Sequence, residues 1–328
     1  MTLPILAILL GFILLVWSAD RFVEGAAVTA KYAGMPSLLI GMVIVGFGTS
    51  APEMVVSAMA ALDGNPNLAI GNALGSNIVN TGLILGVTAL IAPIMVHSNI
   101  VRRQLPLLLG IGLIVGIMLL DGSLNTIDAW FLLIGFFTLI GWTIFKAVKD
   151  NNISSDSHSV ASDVQHTFGH TMTLNRALFW LVAGLGILIL SSRLLVWGAV
   201  SIAQQLGVSD LIIGLTIVAI GTSLPELAAS VIAVRKGEHD IAIGNVVGSN
   251  IFNLLAVLGI AGVIAPVTNL DPGIMARDWP VMMALTFGLS VMVYGFKSMQ
   301  GQLSRVKGVL LLLAYVAYNV WLVMSVMK

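Results

Sequence analysis

Two glutamates, Glu53 and Glu226, each close the same short phrase, GFGTSAPE over 46–53 and AIGTSLPE over 219–226. A second phrase follows each: GNALGSNIVN over 71–80 and GNVVGSNIFN over 244–253. Every matched pair is offset by 173 positions without a gap (53 to 226, 80 to 253). Each glutamate falls near the middle of an apolar run, where an acidic side chain costs about 2.5–3.5 kcal/mol even on the gentler insertion scale. Two such costs, symmetrically placed, call for a compensating ligand. Each glutamate also follows a proline, Pro52 or Pro225, which lacks an amide donor and clashes with the preceding turn, shortly after Gly48 or Gly221. The helix is expected to break there and to free carbonyls, those of Gly46 and Ala219 among them, toward a cavity. Thr49 and Thr222 stand four residues before their glutamates, on one face of a regular helix. Ser76 with Asn80, and Ser249 with Asn253, repeat that spacing. The collected groups are carboxylates, hydroxyls, amide oxygens and carbonyls, with no cysteine in the chain and no histidine inside these runs. Sodium and calcium prefer such all-oxygen shells, whereas zinc and copper favour nitrogen or sulfur. One calcium or two sodium ions neutralise two ionised glutamates, so the ions compete for one pair of charges.

The elements that must position these groups are membrane helices. The chain is 58% hydrophobic and 9% charged, with a mean hydropathy of +1.02, whereas soluble domains carry about 25% charged residues. A helix needs about 20 residues to cross a hydrocarbon layer of ~30 Å. Ten runs of that size are expected, at 3–24, 37–62, 68–93, 104–120, 127–148, 176–203, 209–234, 240–265, 279–297 and 306–327. The fold class is therefore an all-α polytopic membrane protein with ten transmembrane helices in two inverted five-helix repeats, since an odd number of spans brings the second half in from the opposite side. The halves are 1–148, with its motif region at 41–80, and 176–328, with its motif region at 214–253. A polar segment, 149–175, links them. The first run, 3–17, lacks a basic leader and a small-residue cleavage site, which marks a retained helix rather than a signal peptide. Lys31, Arg102, Arg103, Lys146, Lys149, Arg176, Arg235, Lys236, Lys297, Arg305 and Lys307 all fall in or beside odd-numbered loops, against Arg277 and Lys328 on the other side. By the positive-inside rule, both termini lie outside and the linker is cytosolic, in the cell (inner) membrane. A net charge of zero gives no sign of a nucleic-acid partner. Nothing in the sequence bears on oligomeric state.

At GTSxPE and GNxxGSNxxN the chain resembles the calcium/cation antiporter superfamily, and within it the bacterial calcium/sodium antiporters of the YrbG type. The resemblance implies ten helices in two inverted repeats with ion sites at the midplane, calcium and sodium as transported ions, and no cofactor. It further implies that Glu53 and Glu226 are the calcium carboxylates shared with sodium. Thr49, Ser50, Thr222, Ser223, Ser76 and Ser249 would supply hydroxyl or carbonyl oxygens. Asn80 and Asn253 hold the last position of each GSNxxN, where some relatives carry Asp in the second copy. Asn in both lowers the central negative charge and argues against the potassium-dependent branch.

Other polar residues receive plainer readings. Gly71, Gly75, Gly244 and Gly248 have the spacing that lets helices approach closely, and packing is their expected role. Asn77 and Asn250 are read either as ligands or as caps on freed backbone groups. Asp20, Arg21 and Glu24 are read as interface anchors of the first span, with Arg193 as a partial counterpart. His166 and His170 have metal-like spacing but lie in the linker with His158 and are read as solvated. Trp279, Tyr294 and Trp321 suit an aromatic belt. Three other functions compete with sodium-coupled exchange. A calcium/proton antiporter of the same superfamily would carry an acidic residue in GNxxE, where this chain has GNAL and GNVV leading into GSN. A cation channel could also use paired carboxylates. An intramembrane enzyme would need a nucleophile arrangement or an HExxH motif that the chain lacks. The first and sixth spans are the candidate sliding elements of alternating access.

Overall fold

The computed structural model describes residues 2–32, 36–96, 100–154, 172–206, 219–294 and 301–326. The elements are α1 (Thr2–Tyr32), α2 (Ser37–Ile40), α3 (Gly46–Thr49), α4 (Ala51–Leu62), α5 (Pro66–Ile78), α6 (Leu85–Ile91), β1 (Ile94–Val96), α7 (Leu105–Leu119), α8 (Thr126–Ser154) and α9 (Leu174–Gln205). After them come α10 (Ala219–Thr222), α11 (Leu224–Arg235), α12 (His239–Phe252), α13 (Leu258–Ile264), α14 (Trp279–Val293), β2 (Gly301–Leu303) and α15 (Arg305–Val326). Wider π-helical turns at Gly41–Val45, Val79–Ile84, Ile100–Gln104, Asn253–Val257 and Ile274–Asp278 splice several of these into longer rods. Such turns recur at functional sites because they re-aim side chains without ending the helix.

Among the described residues, seven helices are long and apolar enough to cross a membrane, or eight if the bent pair Leu38–Thr49 and Ala51–Leu62 is one span. The expected seventh run falls partly outside the described residues. The expected ninth run is the 15-residue α14, extended at its start by the π turn Ile274–Asp278. The linker with its three histidines also lies largely outside the description.

Burial is arranged for lipid. Large apolar side chains such as Leu3, Phe12, Phe131, Phe137 and Val306 are exposed, while Ser50, Glu53, Asn77, Ser249 and Asn250 are buried. The rods Pro66–Ile91 and His239–Ile264 run through the middle, with 72% and 83% of their apolar windows buried, against 33% and 22% for α1 and α9. Close approach is made by glycine. A Cβ on Gly244 would stand 2.7 Å from the Leu38 carbonyl, and one on Gly248 would overlap that of Met42, as expected for packing glycines. Gly71 and Gly75 meet no described atom within 4 Å of such a Cβ.

The two halves fold alike at the 173 offset. α4 and α11 begin and end at matched positions, as do α6 and α13. Gly64 and Gly237 turn the chain after α4 and α11 with φ of 76° and 79°, in the left-handed region that glycine enters freely. Loops also clasp across the halves. β1 pairs antiparallel with β2, Ile94 opposite Leu303 and Val96 opposite Gly301, while Leu124 bridges to Val267. Asn67 Nδ2 donates to the Asn269 carbonyl at 3.0 Å, and its Oδ1 accepts from the Asp271 amide at 3.0 Å.

Candidate cation site

Glu53 and Glu226 sit in the first turns of α4 and α11, each 1% exposed. The break that places them there falls one step before the expected point. Pro52 and Pro225 are second residues of their helices, where a missing N–H leaves no intrahelical bond unmade. The interruption lies at Ser50 (φ −83°, ψ 0°) and Ser223 (φ −91°, ψ 6°), and the axis turns by 42° at the first of them. The glutamates therefore stand at helix N-termini, just past the breaks.

The Gly46 carbonyl, expected to be freed, is not bare. It accepts from the Ser50 amide at 3.0 Å and from the hydroxyls of Thr49 and Ser249, each at 3.4 Å. The reason is that α3 closes its last turn before the chain breaks. Ala219 opens α10, the first described element after α9.

The two phrases meet across the halves. Ser50 Oγ donates to Glu226 Oε1 at 3.4 Å, and Thr49 Oγ1 to Asn245 Oδ1 at 3.1 Å. Asn245 Nδ2 in turn donates to the Glu226 carbonyl at 3.2 Å and to Ser230 Oγ at 3.0 Å. Asn72 repeats this at the matched positions, to the Glu53 carbonyl at 3.4 Å and Ser57 Oγ at 2.9 Å. These asparagines and serines brace the backbone that carries each glutamate. Sequence reasoning passed over them, although Asn72 and Asn245 were visible as the second letter of GNxxG. Ser50, three residues before Glu53, is thus in direct contact with the Glu226 carboxylate.

What the bracing leaves over is a set of oxygens. Both carboxylate oxygens of Glu53, Oε2 of Glu226, Oδ1 of Asn80, Oδ1 of Asn253 and Oγ of Ser223 are buried with no hydrogen-bond partner among the described residues. A buried polar atom without a partner is rare and demands a reason. Here five of the six are acceptors only, and all six belong to residues singled out from the sequence. Of the other candidates, Ser76 and Ser249 are buried, and Thr222 is bonded. Asn77 and Asn250, left open between ligand and cap, bond to each other's halves: Asn77 Nδ2 reaches the Asn250 carbonyl at 3.1 Å, and Asn250 Oδ1 accepts from Asn80 at 3.1 Å. Among the described residues there is no cluster of three or more His, Cys, Asp and Glu. The set thus suits a hard cation held by two carboxylates and neutral oxygens rather than a nitrogen- or sulfur-liganded metal.

The model of the sodium/calcium exchanger protein family matches residues 3–145 and 176–324. The chain belongs to that family. The exchanger chain is 44% identical over 315 residues to the putative antiporter CaxA of Alkalimonas amylolytica, covering 95% of this chain and 96% of the other. It is 39% identical to the inner membrane protein YrbG of Escherichia coli K12, covering 99% and 97%. A solved structure of the sodium-calcium exchanger NCX_Mj, soaked with zero Na+ and Ca2+, superposes with a TM-score of 0.81 at 31% identity, covering 98% of this exchanger and 99% of that chain. The all-α membrane fold read from the apolar runs, and the superfamily with its YrbG-type branch read from GTSxPE and GNxxGSNxxN, are borne out by these matches; the count of ten helices is not among what they show.

Two plainer readings change. Trp279, assigned to an interfacial belt, donates its indole N–H to the Gly112 carbonyl at 2.9 Å and packs on Gly116, tying α14 to α7. Asp20 and Glu24 meet Lys236, whose Nζ lies 2.9 Å from Asp20 Oδ1 and 3.9 Å from Glu24 Oε2, so they join α1, which runs on to Tyr32, to the end of α11 rather than marking the end of a span.

Proposed function

We propose that this exchanger moves calcium against sodium by alternating access around one midplane site, with Glu53 and Glu226 as the carboxylates. Thr49, Ser50, Thr222, Ser223, Ser76, Ser249, Asn80 and Asn253 contribute neutral oxygens, and the Gly46 and Ala219 carbonyls lie at its edge. The observation that carries the reading is the group of six unpartnered buried oxygens on residues from both halves. A single calcium or a pair of sodium ions balances the two carboxylates, which makes the ions competitors and couples their movements. Moving further net charge would engage the membrane potential at about 2.3 kcal/mol per charge per 100 mV.

The architecture proposed around the site has ten crossings in two inverted halves, 1–148 and 176–328, joined by a cytosolic linker at 149–175. Loop contacts support it. Leu124 with Val267, Asn67 with Asn269 and Arg277 with Ser325 group the even loops and the C-terminal end. β1 with β2, Lys236 with Asp20, and Tyr32 with Met172 group the odd loops, which carry the basic excess. α1 and α9, long and peripheral, are the sliding pair.

Calcium uptake into proteoliposomes under an imposed sodium gradient at clamped pH tests the coupling. Sodium dependence is expected, and full uptake with choline in place of sodium would transfer the reading to a proton antiporter. Saturable counterflow is expected of an exchanger, and unsaturable conduction would point to a channel.

A further inference from the structure

Five buried polar residues, Asn77, Asn80, Thr81, Asn250 and Asn253, meet where the two central rods cross, each no more than 2% exposed. Their bonds run in two arms. In the first, Asn253 Nδ2 donates to Asn77 Oδ1 at 3.0 Å, and Asn77 Nδ2 donates to the Asn250 carbonyl at 3.1 Å and faces Met282 Sδ at 3.6 Å. In the second, Asn80 Nδ2 donates to Asn250 Oδ1 at 3.1 Å, and Asn250 Nδ2 donates to Thr81 Oγ1 at 3.0 Å.

The end of each arm decides whether its direction is fixed. A backbone carbonyl and a thioether accept and never donate, so the Asn77 amide cannot turn over without setting its oxygen against two acceptors. Asn77 Oδ1 therefore faces Asn253, which must answer with its NH2 and send its own Oδ1 the other way. That Oδ1 is one of the unpartnered buried oxygens, on a turn, Asn253–Val257, that packs against the Glu53 helix α4. The second arm has no such stop, because the Thr81 hydroxyl can donate as readily as accept. The position matched to Thr81 (81 and 254 at the 173 offset) is Leu254, so the difference between the arms is written in the sequence.

We infer that Asn77 is a positioning residue that commits Asn253 to offer its amide oxygen, rather than its NH2, to the cation. The inference rests on the exchanger reading in that a cation must visit the site. Without Asn77, the Asn253 amide can turn by half a rotation about its terminal bond and present two N–H groups, which repel a cation. Outer partners of this kind change metal affinity by about 10–100-fold when removed.

The test is a double-mutant cycle on equilibrium binding of radioactive calcium to the full-length protein in detergent: wild type, Asn77→Ala, Asn253→Ser and the pair. A serine oxygen offers a lone pair however it rotates, so it has no wrong end to present. Asn77→Ala is expected to weaken calcium binding about tenfold alone and less than about twofold beside Asn253→Ser. Thermal unfolding of each variant checks that it is folded, and Asn77→Ser replaces Asn77→Ala in the cycle if the alanine protein is not. Equal fold-losses in both backgrounds, the mark of a merely structural asparagine, would overturn the inference, as would wild-type binding by Asn77→Ala. Wild-type protein that binds neither calcium nor sodium would remove the exchanger reading and this inference together, whereas wild-type binding with additive losses removes this inference alone.

Discussion

The seam between α1 and α9 rests on four glycines in two matched pairs, and adding a single methyl group at one of them probes it directly. A Cβ on Gly25 would stand 2.7 Å from both the Ala177 carbonyl oxygen and the Leu181 amide nitrogen, and one on Gly198 would stand 2.7 Å from the Pro4 carbonyl. Ordinary contact begins at 3.4 Å, so the helices must part by about 0.7 Å (3.4 less 2.7): the nearest obstructing atom at each glycine is main chain that cannot rotate away, although Ile8 Cγ1 also stands 2.9 Å from the Gly198 Cβ. Overpacking of this kind costs about 1–3 kcal/mol. Gly186, on α9 itself, meets no described atom within 4 Å of its Cβ. There alanine should gain, since glycine inside a helix is worse than alanine by roughly 0.5–1 kcal/mol. Thermal unfolding in one detergent, followed by tryptophan fluorescence, should place Gly25→Ala and Gly198→Ala several degrees below wild type and Gly186→Ala at or above it. A Gly25→Ala protein that melts with wild type, or a Gly186→Ala protein that falls as far, refutes the seam.

Two further substitutions address the bracing and the junction of α1 with α11. Asn245→Ala removes three buried bonds, at 3.0, 3.1 and 3.2 Å. At about 0.6 kcal/mol each in a membrane protein the loss is about 1.8 kcal/mol, so calcium should bind up to roughly 20-fold more weakly by isotope titration, and unchanged binding would dismiss the brace. Lys236→Met breaks the partly exposed pair with Asp20, worth about 0.2–1 kcal/mol. Hydrogen exchange at the turn of α1 that carries Asp20 should quicken by up to about fivefold, and no change would show that the pair does not tie α1 to α11.

The site was legible because its residues come as repeated phrases: Glu53, Asn80 and Ser223, with Glu226 and Asn253, needed only the 173 offset to be found. The parts that were not legible depend on partners distant in sequence. Gly11 with Gly184, and Gly25 with Gly198, keep the same offset, yet a lone glycine in an apolar run has no signature until the facing helix is known. Trp279 reads as an interfacial aromatic from position alone, and only the approach of α7 shows that its indole has a carbonyl to meet. Gly46 was read as a free carbonyl because proline was assumed to break the helix at its own position. In the fold, Pro52 opens the next helix, so the preceding turn closes first. Asn77 and Asn250 stayed open between two roles because an amide's direction is set by what it touches across the halves.

The most direct test of the paired carboxylates is sodium-driven uptake of radioactive calcium by proteoliposomes holding wild type, Glu53→Gln or Glu226→Gln, with membrane insertion of each verified. The account predicts saturable, sodium-dependent uptake in wild type and none above empty vesicles in either variant, because each glutamine removes half of the charge that balances calcium. Substantial exchange by either glutamine protein would contradict it.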